Sequence, residues 1–424
     1  MAAIHRLAPV ALVLGGTNAH VFLIQLLKAR EYRVILIDYL ANPPAAPYAD
    51  LHIQASTLDL VRVEELAIKH SAELVISTSV DQANITACYV SERLGLASPY
   101  SYETAKAIGN KVEMKRRLFK AGVPTTRYFV AKTYQDLEQQ LPGLEFPVVI
   151  KPSDSNGSKG VRAARHSDEV YPFFDNAKSI SRNGDVIVEE YFEGLELSLD
   201  CFVAEGVGHF LVAKQKFNVK IPGSNLALQC YASIGAVKLS NTQLTRVQNI
   251  LDRIIKEFQL MNTSLMIQVL VHGDEINVIE FAARVGGGLS GRTVKLLTGL
   301  DIVAATVDSY LGNKVDLALS TSQTLFLTNN VYATESVLGC ISGVEDLIAD
   351  GTIYEAYIHK NYGDSISSKL ESRDRVMSFI SKGSNRAELV SKVANFFKRI
   401  SITDQDGKSI LREDIKFNSD LEDI

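Results

Sequence analysis

Residues 267–288 read IQVLVHGDEINVIEFAARVGGG and predict a β-hairpin followed by a glycine-rich loop. Two apolar runs flank the turn residues 272–275, as in antiparallel strands joined by a tight connection. Gln268 and Glu280 have the same parity along the paired strands, so both side chains can face one side of the hairpin. Their amide and carboxylate oxygens suit a hard divalent cation. Arg284 follows the second strand, where it could clamp a phosphate or a developing oxyanion.

A lysine at the end of an apolar strand lies upstream of this hairpin. Residues 146–152 read FPVVIKP, and a polar, glycine-containing loop follows Lys151 as far as Gly160. An ammonium in this position can point at a phosphate, and the N–H groups of such a loop can approach phosphate oxygens closely. The loop does not match the GxxxxGK[ST] pattern. Taken alone, it is equally consistent with a flexible turn.

Between these two motifs, residues 186–200 read VIVEEYFEGLELSLD, an apolar strand that continues into acids and aromatics. A strand edge beside aromatic surface can hold an adenine, and a nearby carboxylate can accept hydrogen bonds from ribose hydroxyls. Taken alone, the segment is also explained by an acidic hairpin whose charges are solvated.

The substrate pocket is less clearly marked in the sequence. Lys214, Lys216 and Lys220 could hold a phosphate or an acidic substrate, or could belong to a solvated basic strand and loop. Asp81 and Gln82 follow a predicted strand and are further candidates for the border of the site.

The first 105 residues alternate between apolar strands and helices, which predicts a doubly wound parallel sheet. The turn at Gly15 and Gly16 lacks the GxGxxG fingerprint, so it is either a strand-to-helix turn or a ligand contact at the strand ends. The predicted strands are 10–14, 33–38 and 73–77, and the predicted helices are 19–29, 64–70 and 82–94.

The composition excludes several classes of protein. Hydrophobic residues make up 46% and charged residues 22% of the 424 residues, which is typical of a globular chain rather than a disordered one. The net charge of −5 argues against general nucleic-acid binding. The four cysteines form no CxxC pair, which favours a reduced, cytoplasmic protein over a zinc-binding one. The apolar run at residues 9–14 is too short to span a membrane.

The order and spacing of these motifs resemble the ATP-grasp superfamily of carboxylate–amine ligases. The similarity is to L-amino-acid ligases and to the ATP-grasp domains of carbamoyl-phosphate synthetase and biotin carboxylase. It implies an α/β fold that opens with a doubly wound parallel sheet, the pre-ATP-grasp domain, at residues 1–105. A two-lobed α+β ATP-grasp domain at 106–312 would follow, with a mobile lid subdomain at about 125–192. Residues 313–424 would form a smaller α+β region.

The resemblance also implies roles for individual residues. Lys111, in the segment IGNKVEMKR at 108–116, and Lys151 would contact the ATP phosphates, and Lys151 and Arg284 would act in catalysis. Gln268 and Glu280 would hold Mg²⁺, or Mn²⁺ in its place. The other nucleotide contacts implied are Ser155, Asn156, Gly157, Ser158, Gly160, Glu189, Glu190, Phe192 and Glu196.

The implied activity is ATP-dependent joining of a small carboxylate, such as an amino acid, to an amine. The reaction would pass through an acyl phosphate and release ADP and phosphate, and similar proteins are often homodimers. A carboxylase-like or purine-biosynthesis-type enzyme and a non-catalytic ATP-binding regulator are the alternatives. Ala282 stands where family members often carry a metal-binding Asn, so the number of Mg²⁺ ions is left open.

Overall fold

The computed structural model describes residues 8–154, 160–220, 227–320, 322–367, 370 and 372–418. Its N-terminal part is a parallel sheet in the order β3-β2-β1-β4. The strands are β1 (Val10–Leu14), β2 (Arg33–Asp38), β3 (Leu51–Gln54) and β4 (Ala72–Ile76). The helices are α1 (Asn18–Ala29), α2 (Leu60–Lys69) and α3 (Asp81–Leu94). Strands β1, β2 and β4 are almost entirely buried, as expected for a parallel sheet covered by helices.

A small antiparallel sheet in the order β5-β8-β6-β7 follows, within the range predicted for the lid. Its strands are β5 (Tyr128–Ala131), β6 (Val148–Pro152), β7 (Arg162–Ala164) and β8 (Val186–Glu190). The helices of this part are α4 (Tyr102–Gly109), α5 (Lys111–Lys120), α6 (Tyr134–Gln140) and α7 (Ser167–Ile180). Helices α6 and α7 contribute Leu137, Val170 and Phe174 to a separate apolar core with the small sheet. Its own core makes this sheet a distinct packing unit.

A larger sheet has the order β13-β12-β9-β10-β11-β14-β18-β16 within the described residues. Its strands are β9 (Leu195–Ala204), β10 (Val207–Lys220), β11 (Ala227–Gly235), β12 (Thr263–His272), β13 (Glu275–Ala282), β14 (Leu325–Tyr332), β16 (Glu355–Ile358) and β18 (Arg375–Gly383). The helices are α8 (Asn241–Phe258), α9 (Ser290–Thr298), α10 (Ile302–Tyr310), α11 (Val344–Ala349) and α12 (Arg386–Arg399). A further sheet joins β15 (Ser336–Ser342), β17 (Ser365–Ile366) and β19 (Ser401–Asp404). The large sheet therefore contains strands from both sides of residue 312.

The two faces of the large sheet differ in polarity. One face packs Leu199 and Ile267 against Leu251 and Ile254 of α8 in a buried apolar core. The other face carries charged and amide side chains at alternate positions of its strands, as the two-residue period of a strand requires. These polar residues are Glu196, Asp200, Lys214, Lys216, Gln268 and Glu280.

Candidate functional site

Charged and amide side chains from the polar face of the large sheet contact charged side chains from the small sheet and from α5. We call this group of side chains the charged cluster. It comprises Lys111, Lys115, Lys151, Glu189, Glu196, Lys216, Gln268 and Glu280. Its lysines outnumber its glutamates by one, so the cluster carries a net positive charge.

Glu189 of β8 lies between two lysines on other elements. Its carboxylate is 2.5 Å from Nζ of Lys115 and 2.5 Å from Nζ of Lys151. Burial by itself would raise the pKa of Glu189, but the two ammonium groups lower it to about 2. Burial lowers the pKa of Lys115, and Glu189 partly offsets that effect. Lys115 also donates to the hydroxyls of Thr125 and Thr126, at 3.0 and 3.3 Å.

Glu280 and Gln268 lie directly opposite each other on β13 and β12, so the predicted hairpin is confirmed. Lys111 Nζ is 2.9 Å from Glu280 Oε2. With the amide oriented to satisfy its neighbours, Gln268 donates to Glu280 Oε1 at 2.7 Å and accepts from Lys216 Nζ at 2.6 Å. The charge of Lys111 is the main cause that lowers the pKa of Glu280 to about 2. Glu280 is therefore an anion at neutral pH.

Lys216 of β10 extends the cluster towards the centre of the large sheet. It forms an ion pair with Glu196, which also accepts from Asn218 Nδ2 at 2.6 Å. Burial by itself would lower the pKa of Lys216, but the charge of Glu196 raises it above its ordinary value. Glu196 therefore lies beside the Gln268–Glu280 end of the cluster.

Arg284, two residues beyond β13, is held by the N-terminal domain. Its Nε and Nη2 donate to the two carboxylate oxygens of Asp81 at 2.6 and 2.8 Å, and its Nη1 donates to the carbonyl of Val285 at 2.9 Å. Burial by itself would lower the pKa of Arg284, but Asp81 raises it above its ordinary value. Asp81 also interacts electrostatically with Lys111. A ligand of Arg284 would therefore have to share its guanidinium with Asp81.

Other predicted contacts lie at different places around the cluster. Glu190 points away from Glu189, because neighbours on a strand face opposite sides, and its carboxylate pairs with Arg127 at 2.5 Å. Phe192 lies beyond β8 and is partly buried. Gly160 has φ +78°, and a Cβ on it would lie 2.7 Å from Ile180 Cδ1 and 2.8 Å from Pro152 Cγ. The predicted contacts outside the described residues are Ser155, Asn156, Gly157 and Ser158.

Lys115 was not predicted as a site residue, although the sequence contains a signal for it. It lies four residues after Lys111 on α5, and residues with this spacing share one face of a helix. Both lysines therefore point into the cluster. The four-residue spacing of Lys111 and Lys115 identifies a shared face only once residues 111–120 are known to be helical.

A divalent cation fits the oxygen atoms that the hairpin offers. Gln268 and Glu280 lie opposite each other and offer an amide oxygen and a carboxylate, which are hard ligands. Ala282 is buried and adds no side-chain oxygen. Among the described residues, no group of three or more His, Cys, Asp or Glu side chains could hold a metal ion. Phosphate oxygens of a nucleotide would therefore have to complete the coordination shell.

Residues 144–292 match the family model described as the ATP-grasp domain, and they include strands β6, β7 and β8 of the small sheet and the hairpin. This chain contains an ATP-grasp domain. The predicted resemblance to the ATP-grasp superfamily is therefore confirmed. No helix in the described ranges is both long enough and apolar enough to cross a bilayer.

Curated relatives of this chain include a ligase and a transferase. The L-arginine-specific L-amino acid ligase of Bacillus subtilis is 24% identical over 234 residues, which are 52% of this chain and 53% of that protein. The formate-dependent phosphoribosylglycinamide formyltransferase of Bacteroides thetaiotaomicron is 27% identical over 164 residues, 38% of this chain and 42% of that protein. The chain thus spans about half the length, or less, of these relatives.

Solved structures match nearly the whole ATP-grasp chain. L-amino acid ligase from Bacillus licheniformis has a TM-score of 0.77 at 16% identity, covering 94% of this chain and 100% of that one. Phosphoribosylglycinamide synthetase from Anaerococcus prevotii has a TM-score of 0.75 at 20% identity, covering 93% and 99%. These matches confirm the predicted fold class, including the C-terminal α+β region.

Proposed function

We propose that this chain is an ATP-dependent carboxylate–amine ligase. It would activate a small acid, such as an amino acid, as an acyl phosphate and transfer the acyl group to an amine. The charged cluster is the observation that carries this proposal. Its lysines come from α5, β6 and β10, so they surround one volume within an ATP-grasp domain and can contact a polyphosphate together.

The proposed reaction has two displacement steps. The substrate carboxylate attacks the γ-phosphate of ATP, which forms an acyl phosphate and releases ADP. The amine then attacks the acyl carbon, which forms an amide and releases inorganic phosphate. Lys111, Lys151 and Lys216 would supply positive charge around the transferring phosphoryl group, where charge in the transition state must be stabilised. The lid would exclude water, because water would hydrolyse the mixed anhydride.

Gln268 and Glu280 are the residues that would hold Mg²⁺ or Mn²⁺ in this scheme. Such a cation, when bound, neutralises phosphate oxygens. In the structure, Lys111 Nζ contacts the Glu280 carboxylate at 2.9 Å, and Lys216 Nζ contacts the side-chain oxygen of Gln268 at 2.6 Å. Phosphates would draw the two ammonium groups away and leave these oxygens to the metal. Binding of nucleotide and of metal should therefore be mutually dependent.

ADP release is the direct test of the proposed function. The full chain is incubated with ATP and Mg²⁺ and a panel of amino acids offered singly and in pairs, and products are identified by mass. We expect ADP release that requires both an acid and an amine, with formation of the corresponding amide. Lys151→Ala should abolish it, whereas Lys382→Ala, which removes an exposed lysine of β18, should not. ATP binding without ADP release on any pair would refute ligase activity.

Two alternatives have structural support of their own. Similarity to phosphoribosylglycinamide synthetase over 93% of the chain supports a purine-biosynthesis-type enzyme, and similarity to a biotin carboxylase domain over 96% of the chain supports a carboxylase-like enzyme. Each lysine of the charged cluster already forms an ion pair with a carboxylate. Such a paired arrangement would suit a regulator that binds a nucleotide without catalysing a reaction. Turnover only with bicarbonate or a phosphorylated ribosylamine would support an enzyme of the first kind. Nucleotide binding without turnover would support the regulator.

A further inference from the structure

The polar face of the large sheet continues beyond the charged cluster into the C-terminal region. Ser378 of β18 donates to Asn330 Oδ1 at 2.7 Å and lies 2.7 Å from His359 Nε2. The other ring nitrogen of His359, Nδ1, lies 2.6 Å from Nδ2 of Asn18, the first residue of α1. Burial and the charge of Arg375 lower the pKa of His359 to about 4, so the ring is neutral. These polar groups satisfy one another and need no ligand.

Arg375, the first residue of β18, is different because most of its donors have no acceptor among the described residues. Its Nε donates to Tyr332 Oη at 3.2 Å. Within the described ranges no carboxylate lies at ion-pair distance from this guanidinium, and its two terminal nitrogens have no acceptor. The side chain is only partly exposed. A partly buried guanidinium whose terminal nitrogens have no acceptor among the described residues retains the fork geometry that binds carboxylate or phosphate through two hydrogen bonds.

The position of Arg375 relative to the charged cluster follows from the strand register. Lys216 lies opposite Ser233 of β11, which lies opposite Thr328 of β14. Tyr332, four residues after Thr328 and so on the same side of β14, lies opposite Arg375. Arg375 therefore lies on the side of the sheet that carries Lys216. The polar face thus has a second cationic position, beyond the lysines of the cluster.

The glycine-rich loop leaves room beside this second position. Gly288 has φ +61°, and a Cβ on it would lie 3.7 Å from Arg375 Nη1. A longer side chain would extend over the guanidinium, and the left-handed backbone would also disfavour one. The loop that follows β13 therefore lies beside the guanidinium of Arg375.

We propose that Arg375 binds the anionic group of the ligase substrate, a carboxylate or a phosphate, at this second position on the polar face. The inference rests on the proposed function, because it requires a substrate to be joined at the charged cluster. The C-terminal region thereby selects the substrate, while the ATP-grasp domain holds the nucleotide. An uncharged analogue of the substrate should therefore not bind to Arg375, because it lacks the anionic group that the arginine recognises.

Anion binding is measured by thermal unfolding of the full chain loaded with Mg²⁺ and a non-hydrolysable ATP analogue. Inorganic phosphate and acetate are the two probes, and they separate phosphate recognition from carboxylate recognition. We expect one of them to raise the unfolding midpoint of the wild-type chain. Arg375→Met should weaken the apparent affinity for that probe at least ~10-fold, and Arg375→Lys should weaken it less, because it keeps the charge without the fork. Lys382→Met removes an exposed lysine from the same strand and should leave the affinity unchanged.

Repeating the titration without nucleotide distinguishes failure of this inference from failure of the proposed function. If the analogue does not bind but the Arg375-dependent response to the probe persists, the ligase proposal fails and the anion site stands. If the analogue binds and neither probe shifts the midpoint, the anion site is refuted. The same conclusion follows if Arg375→Met and Arg375→Lys both respond as the wild type does. Should Arg375→Met not fold, Arg375→Lys alone decides between these results.

Discussion

Lys151 and Lys115 bind the same carboxylate, so at the residue scale their roles can be separated by substitution. Lys151→Ala should weaken ATP affinity by ~10-fold or more, because a charge-assisted contact to phosphate is lost. The fold should persist, since Glu189 keeps Lys115 at 2.5 Å. Calorimetric titration with ATP and a thermal unfolding scan check both expectations. The matched control is Lys382→Ala, and an unchanged ATP affinity in Lys151→Ala would remove this lysine from the nucleotide site.

The two hairpin residues that face each other should differ in their effect on metal dependence. Glu280→Gln removes the only charge in the pair and should raise the Mg²⁺ concentration needed for half-maximal activity. Gln268→Glu adds a negative ligand and should leave that concentration equal or lower. Titration of turnover with Mg²⁺ measures both variants. The same metal requirement in Glu280→Gln as in the wild type would mean that the hairpin does not hold the cation.

Arg284 is predicted to act on charge that develops during phosphoryl transfer. Arg284→Ala should lower turnover by ~10²–10³-fold, by analogy with removal of an oxyanion-hole donor, while ATP affinity changes little. Steady-state kinetics and nucleotide titration separate the two effects. A matched control is Arg292→Ala, which also removes a partly buried arginine–carboxylate contact, to Glu355 at 3.0 Å, but outside the cluster. Near-normal turnover in Arg284→Ala would mean that Arg284 only forms a structural contact with Asp81 and does not act in phosphoryl transfer.

At the element scale, Gly160 lies two residues before β7. An Ala there would need a left-handed backbone and would place its Cβ within 2.8 Å of both Ile180 and Pro152. Gly160→Ala should therefore lower the free energy of unfolding by ~1 kcal/mol or more. Urea denaturation measures the loss. Gly143→Ala is the matched control in the same part of the chain, because a Cβ on Gly143 meets nothing within 4 Å, and an equal effect of the two substitutions would contradict the strain argument.

For the whole molecule, four buried or paired groups contribute to the dependence of stability on pH. Glu189 and Glu280 have pKa values of about 2, below their ordinary value, so their contribution is complete above about pH 4.5 and is lost as pH falls through 2. His20 and His359 have pKa values of about 4, so the unfolded chain binds their protons first and stability declines as pH falls from about 6.5 towards 4.

Urea unfolding between pH 7 and pH 3 measures this profile. We expect a decline that begins below about pH 6.5 and steepens below about pH 4.5. His359→Gln should remove part of the first decline, because a neutral amide replaces the ring that must lose its proton on folding. A free energy of unfolding that stays constant from pH 7 to pH 4 would contradict the assigned pKa values of both histidines.

The local elements could be read from the sequence with good accuracy. The strands 10–14 and 33–38 were predicted with the bounds that the structure has, because continuous apolar runs are typical of buried parallel strands. Strand β3 was missed, since Leu51–Gln54 is short, partly exposed and half polar. The pairing of Gln268 with Glu280 also followed from the sequence, because a short turn sets the register of a hairpin.

What the sequence by itself determined is therefore the fold class, the hairpin and most of the residues of the charged cluster. Tertiary structure alone decided which polar side chains meet. Lys115 joins Glu189 across 74 positions, Arg284 joins Asp81 across 203, and Asn18 joins His359 across 341. Local periodicity predicts which face a side chain takes. It contains no information on which distant strand or helix packs against that face, because that choice depends on burial and charge pairing over the whole chain.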